Sequence, residues 1–248
     1  MALKWNFWWY ARCQELRLLF PGGGAGNAMN VLMLDGHPDT GRLTTALLEH
    51  YEKSLPAGAA VTRFAVRDLV FDPVLKQGYG AEMPWELDLQ TLAAALDAAD
   101  HVVIGFPLWW GSEPAPLTGL FSRMLLPGFA FKYHRDNIWW DRLLAGRSAD
   151  VVITMDTPPW YLSLAFGDPI GRRLKHQILG FCGVKPLRIF RFGPNRRGQT
   201  AKRLEGWKAR LAKAAATAEG LKRGAKNSLL AGQTPFAAAI REREGMKD

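Results

Sequence analysis

Cysteine is nearly absent: Cys13 and Cys182 are the only two in 248 residues. No Cys-x-x-Cys pair and no Cys/His cluster occurs, which argues against a zinc site and a disulfide framework. No metal is expected, and the sparing use suits a reducing, cytoplasmic compartment. Cys182 falls in the apolar run Gln177-Ile178-Leu179-Gly180-Phe181-Cys182 and reads as a small buried hydrophobe. No apolar run approaches the roughly 18–20 residues of a membrane-crossing helix, so no integral membrane segment is expected. The Gly-Lys-Ser/Thr of a Walker loop and the GxGxxG fingerprint are both missing. The acidic excess usual in small electron carriers is missing too, since the net charge is +9.

What is present suits one substantial, soluble α/β domain: 48% hydrophobic and 22% charged residues. The charge is unevenly placed. From Arg188 to Asp248 there are 15 Lys and Arg against 5 Asp and Glu, whereas the first 187 residues carry 17 against 18. A basic C-terminal arm of this kind can attract nucleic acid, acidic lipid or a phosphorylated cofactor. It lacks an aromatic-interleaved nucleic-acid motif, so a solvated helix face with a loose tail is the reading adopted and no nucleic-acid partner is expected. At the other end, Trp5, Phe7, Trp8, Trp9 and Tyr10 crowd together before Pro21-Gly22-Gly23-Gly24. This stretch has neither the apolar core nor the cleavage site of a secretory signal. Residues 1–29 are expected to be a non-domain extension, with Met29 the true start. The alternative is an interfacial aromatic anchor.

From Asn30 the pattern alternates. Val31–Leu34, Val102–Phe106 and Val151–Ile153 are short continuous apolar runs, and Ala60–Val66 and Leu187–Phe192 also read as strands. Helical spacing appears over Leu43–Leu55, Leu89–Ala99, Pro114–Leu126, Ile170–Phe181 and Ala201–Ala218. Repeated strand–helix units with continuous apolar strands predict a parallel sheet covered on both faces. Five such strands fit the order 2-1-3-4-5 of a flavodoxin-like three-layer sandwich. The expected domain is 30–220, with 221–248 a basic, loosely ordered tail. The insert 127–147 is long for a connection and is a candidate binding loop.

Ligands of an open parallel sheet bind at the carboxyl ends of the strands, so chemistry is sought there. After the first strand, Asp35-Gly36-His37-Pro38-Asp39-Thr40-Gly41-Arg42-Leu43-Thr44 feeds a helix N-terminus. That arrangement suits a phosphate as well as an ordinary capped turn. After the third strand, Pro107-Leu108-Trp109-Trp110-Gly111 offers two tryptophans that are costly if merely exposed and that a flat apolar ring would use; packing at a core or dimer interface is the lesser alternative. After the fourth, Met155-Asp156-Thr157-Pro158 precedes Tyr161. These residues are equally compatible with a surface turn and with polar contacts to a ring.

Together these loops resemble the flavodoxin-like NAD(P)H:quinone oxidoreductases, a family that includes ancillary reductases of potassium-efflux systems. The resemblance runs from about Asn30 to Ala214. It is most specific at Phe106–Gly111, Pro114-Ala115 and Pro127-Gly128-Phe129-Ala130-Phe131, with Phe71–Val74, Phe181-Cys182-Gly183 and Leu204-Glu205-Gly206-Trp207 also matching. It implies a flavin, FAD or alternatively FMN, that takes a hydride from NAD(P)H and passes it to a quinone or similar small-molecule acceptor by a ping-pong scheme. It implies that His37, Thr40, Arg42, Leu43 and Thr44 hold the phosphate-bearing chain, and that Pro107, Leu108, Trp109, Trp110 and Gly111 line one edge of the ring. Met155, Asp156, Thr157 and Pro158 would line another edge, with Tyr161 as the catalytic phenol. Phe131, Tyr133 and Phe166 would shape the acceptor pocket, across a homodimer interface. The chain departs from the family pattern at Arg42, where serine is common, at Asp156-Thr157, where Gly-Gly is common, and at Phe166, near which some members carry a histidine that pairs with the tyrosine. Two other readings of the same resemblance are a redox-sensing subunit of a membrane transporter and a flavodoxin-type carrier.

Overall fold

The computed structural model describes residues 28–78, 83–134, 136–196 and 200–227; the expected extension over residues 1–27 and the tail from residue 228 lie outside them. Five strands form one parallel sheet: β1 (Asn30–Asp35), β2 (Ala60–Ala65), β3 (His101–Pro107), β6 (Ser148–Thr154) and β7 (Leu187–Phe192), in the order β2-β1-β3-β6-β7. This is the expected 2-1-3-4-5 arrangement. The helices are α1 (Leu43–Lys53), α2 (Leu87–Ala98), α3 (Ala115–Met124), α4 (Pro159–Phe166), α5 (Pro169–Arg173), α6 (Leu179–Cys182) and α7 (Thr200–Ala216).

Alternation within each strand explains the continuous apolar runs. Leu32, Leu34, Val102, Ile104, Phe106, Val151 and Ile153 point to a core shared with α2, α3 and the α4–α6 segment. Val31, Met33, Val103 and Val152 point the other way, against Leu47, Leu48 and Tyr51 of α1 and Trp207 and Leu211 of α7. A strand buried on both faces has no need of a polar side. In the edge strand β2, by contrast, every residue keeps some exposure. Strand ends are level: Asp35 lies opposite Gly105, and Pro107 opposite Thr154. The loops that leave β1, β3 and β6 therefore emerge side by side.

Four segments differ from the sequence reading. The helix expected over 170–181 is broken into α5, a wide π turn at Leu174–Ile178, and α6. Gly180 lies so close to the Lys175 carbonyl that a Cβ would stand 1.8 Å from its oxygen, a close approach that leaves no room for a side chain. Residues read as loop after β6 enter α4 directly, with a proline in its first turn and Gly167 closing it at φ +67. The 127–147 insert contains a small antiparallel hairpin, β4 (Phe131–Tyr133) with β5 (Trp140–Arg142). The residues just past Gly220, read as loose tail, are tied down. Arg223 donates to Ser148 Oγ at 2.8 Å, and Lys226 donates to the Ala98 carbonyl at 2.6 Å.

Candidate functional site

The β1–α1 loop is built around a residue that the sequence reading passed over. Asp35, buried at the end of β1, accepts three hydrogen bonds: from His37 N (3.0 Å), Thr45 Oγ1 (2.7 Å) and Arg67 Nη1 (2.7 Å). Gly36 leaves the strand by donating to the Gly105 carbonyl at 2.7 Å, with Leu117 Cδ2 only 2.5 Å from where a Cβ would stand. The loop is thereby pinned to β3. Its signal in the sequence was an acidic residue at the last position of an apolar strand.

The His37 side chain is nearly buried, and its Nδ1 accepts the Asp39 N–H at 2.9 Å. Burial lowers its pKa, assisted by the Arg42 charge and opposed mainly by Asp35. The imidazole is thus neutral at physiological pH, with its proton on Nε2 as a donor. Arg42 pairs with Asp39, and Thr40 N donates to the other Asp39 oxygen at 2.7 Å. Arg42 stands at the N-cap of α1 without a side-chain cap bond, and the first turn holds no acidic residue. The early amides of α1 at Leu43 and Thr44 are therefore suited to an anion. Only the backbone of Thr44 is free to meet a ligand, because its hydroxyl is buried against Thr154 Oγ1 at 2.8 Å.

After β3 the chain makes a two-residue hairpin turn. Trp109 and Ser112 exchange both backbone hydrogen bonds, at 2.9 and 3.0 Å, and the central Trp110 and Gly111 have φ of +52° and +79°. Positive φ at both positions is the type I′ pattern, which Gly111 takes without cost and Trp110 does not. Trp110 is fully exposed and Trp109 half exposed. Pro107 is buried, and Leu108 N donates to the Thr154 carbonyl. These two fix where the turn begins rather than supply a face.

Past β6, the Met155 side chain is in the core, while Asp156 is exposed and Thr157 and Pro158 are half-buried. Tyr161 stands edge-on to both Trp160 and Phe166, at 5.7 Å from each. All three rings are exposed. His37 meets Trp109 edge to face at 5.7 Å, which joins the β1–α1 loop to the aromatic turn. Phe131 is buried and touches Tyr133 and Phe181. Contrary to the expectation for a pocket residue, it backs the exposed Tyr133 rather than forming a surface itself.

At the opposite end of the sheet, Ser148, His101 and Asp150 make a row that superficially suggests nucleophilic catalysis. Ser148 Oγ lies 2.8 Å from His101 Nδ1, His101 Nε2 lies 3.0 Å from Tyr51 Oη, and Tyr51 donates to Asp150 at 2.6 Å. Every one of these side chains is fully buried, and Arg223 and Arg188 close the two ends. No substrate can reach it, and the row is a brace.

The profile of the flavodoxin-like fold family matches residues 29–215. The chain belongs to that family. Among characterised proteins, it is 33% identical over 123 residues to NAD(P)H dehydrogenase (quinone) 1 of Rattus norvegicus, covering 47% of this chain and 44% of that one. It is 33% identical over 99 residues to the FMN-dependent NADH:quinone oxidoreductase of Ruegeria pomeroyi, covering 40% and 44%. Each match thus spans less than half the length of the relative. The NAD(P)H:quinone oxidoreductase from Methanothermobacter marburgensis superimposes with a TM-score of 0.65 at 24% identity, over 77% of this chain and 98% of that one, which shows a shared fold. Among the described residues of this flavodoxin-like protein, no helix is long and apolar enough to cross a membrane.

Proposed function

We propose that this protein is a flavin-dependent oxidoreductase that transfers a hydride from NAD(P)H to a quinone or similar two-electron acceptor. The observation that carries the reading is the contact between His37 and Trp109. It sets an anion site at the start of α1 beside a set of exposed aromatic rings, the two halves that a flavin nucleotide requires. The names of the relatives from Rattus norvegicus and Ruegeria pomeroyi point the same way. The donor set fits the cofactor: neutral His37 Nε2–H and the first amides of α1 suit the phosphate, and Trp109 and Trp110 suit the ring.

When bound, the flavin supplies the two-electron chemistry. The chain's own part is to hold and tune it. Asp35 and Arg67 keep the phosphate loop in place, the Trp109–Ser112 turn presents backbone and indole to the ring, and Trp160 and Phe166 restrict access of water from the α4 side. Tyr161 is the candidate phenol beside developing negative charge. With Phe166 as its ring neighbour, it acts without a histidine partner. Tyr133, Ile138 and Trp139 leave apolar surface on the hairpin segment, where a second copy of the chain would complete the acceptor pocket.

The test is to purify the protein, record its absorption spectrum, identify the released flavin by mass, and supply NADPH or NADH with a quinone. Flavin absorbance with rapid quinone reduction is expected. The released mass separates FAD, the expectation from sequence, from the FMN named for one relative. A colourless protein that takes up neither flavin overturns the reading.

A further inference from the structure

We infer that Glu113 and Arg173 are a positioning pair that fixes the Trp109–Ser112 turn at the edge of the flavin, an inference that rests on the function proposed above. The Glu113 side chain is completely buried, directly after the turn and before α3. A carboxylate in such a place is costly without a partner, and a buried ion pair adds little stability over a well-packed apolar residue. Its use here is geometric.

The partner reaches in from another element. Arg173 Nη1 contacts both Glu113 carboxylate oxygens, with Oε1 at 2.5 Å, and lies 3.4 Å from Ser112 Oγ. Ser112 Oγ in turn donates to Glu113 Oε2 at 3.1 Å. Ser112 is the residue whose backbone closes the turn on Trp109, so the guanidinium grips the turn at its base. The turn needs an external hold, because Trp110 occupies a left-handed conformation with its indole wholly in solvent.

Arg173 is itself fixed. It ends α5, and Asp168 at the start of α5 is bound by Arg191 of β7, with Arg191 Nε at 2.9 Å from Oδ1. Gly171 between them has no space for a Cβ, which would stand 2.1 Å from both Arg191 Nη2 and Asp168 Oδ2. Asp168 N also donates to the Leu162 carbonyl of α4 at 3.2 Å. Two ion pairs thus tie the turn after β3 and the end of β7 to one short helix, and the Asp168 backbone bond joins it to α4, which follows β6. The ring edge contacts expected from the Trp109 turn and from the Met155–Tyr161 segment are held at a fixed separation by this tie.

The experiment compares the full-length wild type with Arg173→Met, Arg173→Lys and Glu113→Gln. Three readouts are taken: FMN and FAD affinity by titration of flavin fluorescence, the reduction potential of the bound flavin, and the tryptophan band in near-UV circular dichroism of the flavin-free protein. Arg173→Met is expected to weaken flavin binding by about tenfold or more, to shift the potential and to alter the tryptophan band, with a lowered melting temperature because it strands the buried Glu113 carboxylate. Glu113→Gln, which leaves no unpaired buried anion, is expected to change the same three readouts with a melting temperature closer to wild type. Arg173→Lys is expected to restore most of the affinity. Wild-type affinity, potential and dichroism in Arg173→Met and Glu113→Gln overturn the inference, as does a loss of binding that merely tracks a lowered melting temperature across the two variants. A wild type that takes up neither flavin overturns the functional reading instead. The tryptophan band of the flavin-free variants then decides by itself whether the pair sets the turn.

Discussion

Trp110 takes φ +52° at the first central position of a type I′ turn, followed by Gly111 at +79°. A bulky residue there costs about 1–2 kcal/mol, and the exposed indole recovers none of this through burial. Asn-Gly is the favoured pair for such a turn. Trp110→Asn should therefore raise stability by about 1 kcal/mol, seen as an increase of about 2–4 °C in melting temperature, while weakening flavin uptake. An unchanged or lowered melting temperature would show that the indole earns its place by packing. At the same scale, burial pushes the Cys182 thiol up to about 12, so it remains protonated and unreactive, in keeping with the small hydrophobe read from its apolar run.

Among the elements, α1 packs closely on β3 at Gly105. A Cβ there would stand 2.7 Å from Leu48 Cδ1 and 2.8 Å from its Cγ. Gly105→Ala must push α1 outward or force Leu48 from its rotamer. Overpacking of this kind costs about 1–3 kcal/mol, to be measured by urea unfolding. Because Gly36 and Thr44 tie the same helix and its loop to β3 and β6, outward movement of α1 also predicts weaker flavin binding in proportion.

For the molecule as a whole, the brace beneath the sheet links α1, β3, β6, β7 and the residues after α7. Tyr51, the phenol of which burial raises far above its ordinary pKa, donates to Asp150 and must then accept from His101 Nε2. Burial of Asp150 opposes its charge, but the adjacent His101 imidazole and the hydrogen bonds from Arg188 and Tyr51 prevail and hold its pKa below the usual carboxylate range. The sign follows from linkage. A depressed folded pKa gives stability that is fully present above the unfolded value of about 3.9 and is lost as pH falls through the folded value. Asp150→Asn strands Arg188 and should cost about 3–5 kcal/mol at pH 7. The difference from wild type should stay constant down to about pH 5 and narrow below about pH 4, as denaturant unfolding at several pH values would show. A difference that does not change with pH would remove Asp150 from the acid limb of stability.

The sequence by itself determined the strands, their parallel order and the three loops that leave the carboxyl ends of β1, β3 and β6. Hydrophobic periodicity is a local quantity, and the five-stranded right-handed crossover pattern leaves few alternatives. It also made His37, Trp109 and Trp110 visible, since polar or aromatic residues at strand ends break the apolar pattern. Only the tertiary structure decided that Asp35 anchors the β1–α1 loop, that the Thr44 hydroxyl is taken up by Thr154, and that Phe131 is core. These depend on partners 10, 110 and 50 residues away. The Glu113–Arg173 pair, 60 residues apart, was illegible for the same reason. A charge next to a turn reads as solvated until the fold buries it, and burial is a property of the packed chain.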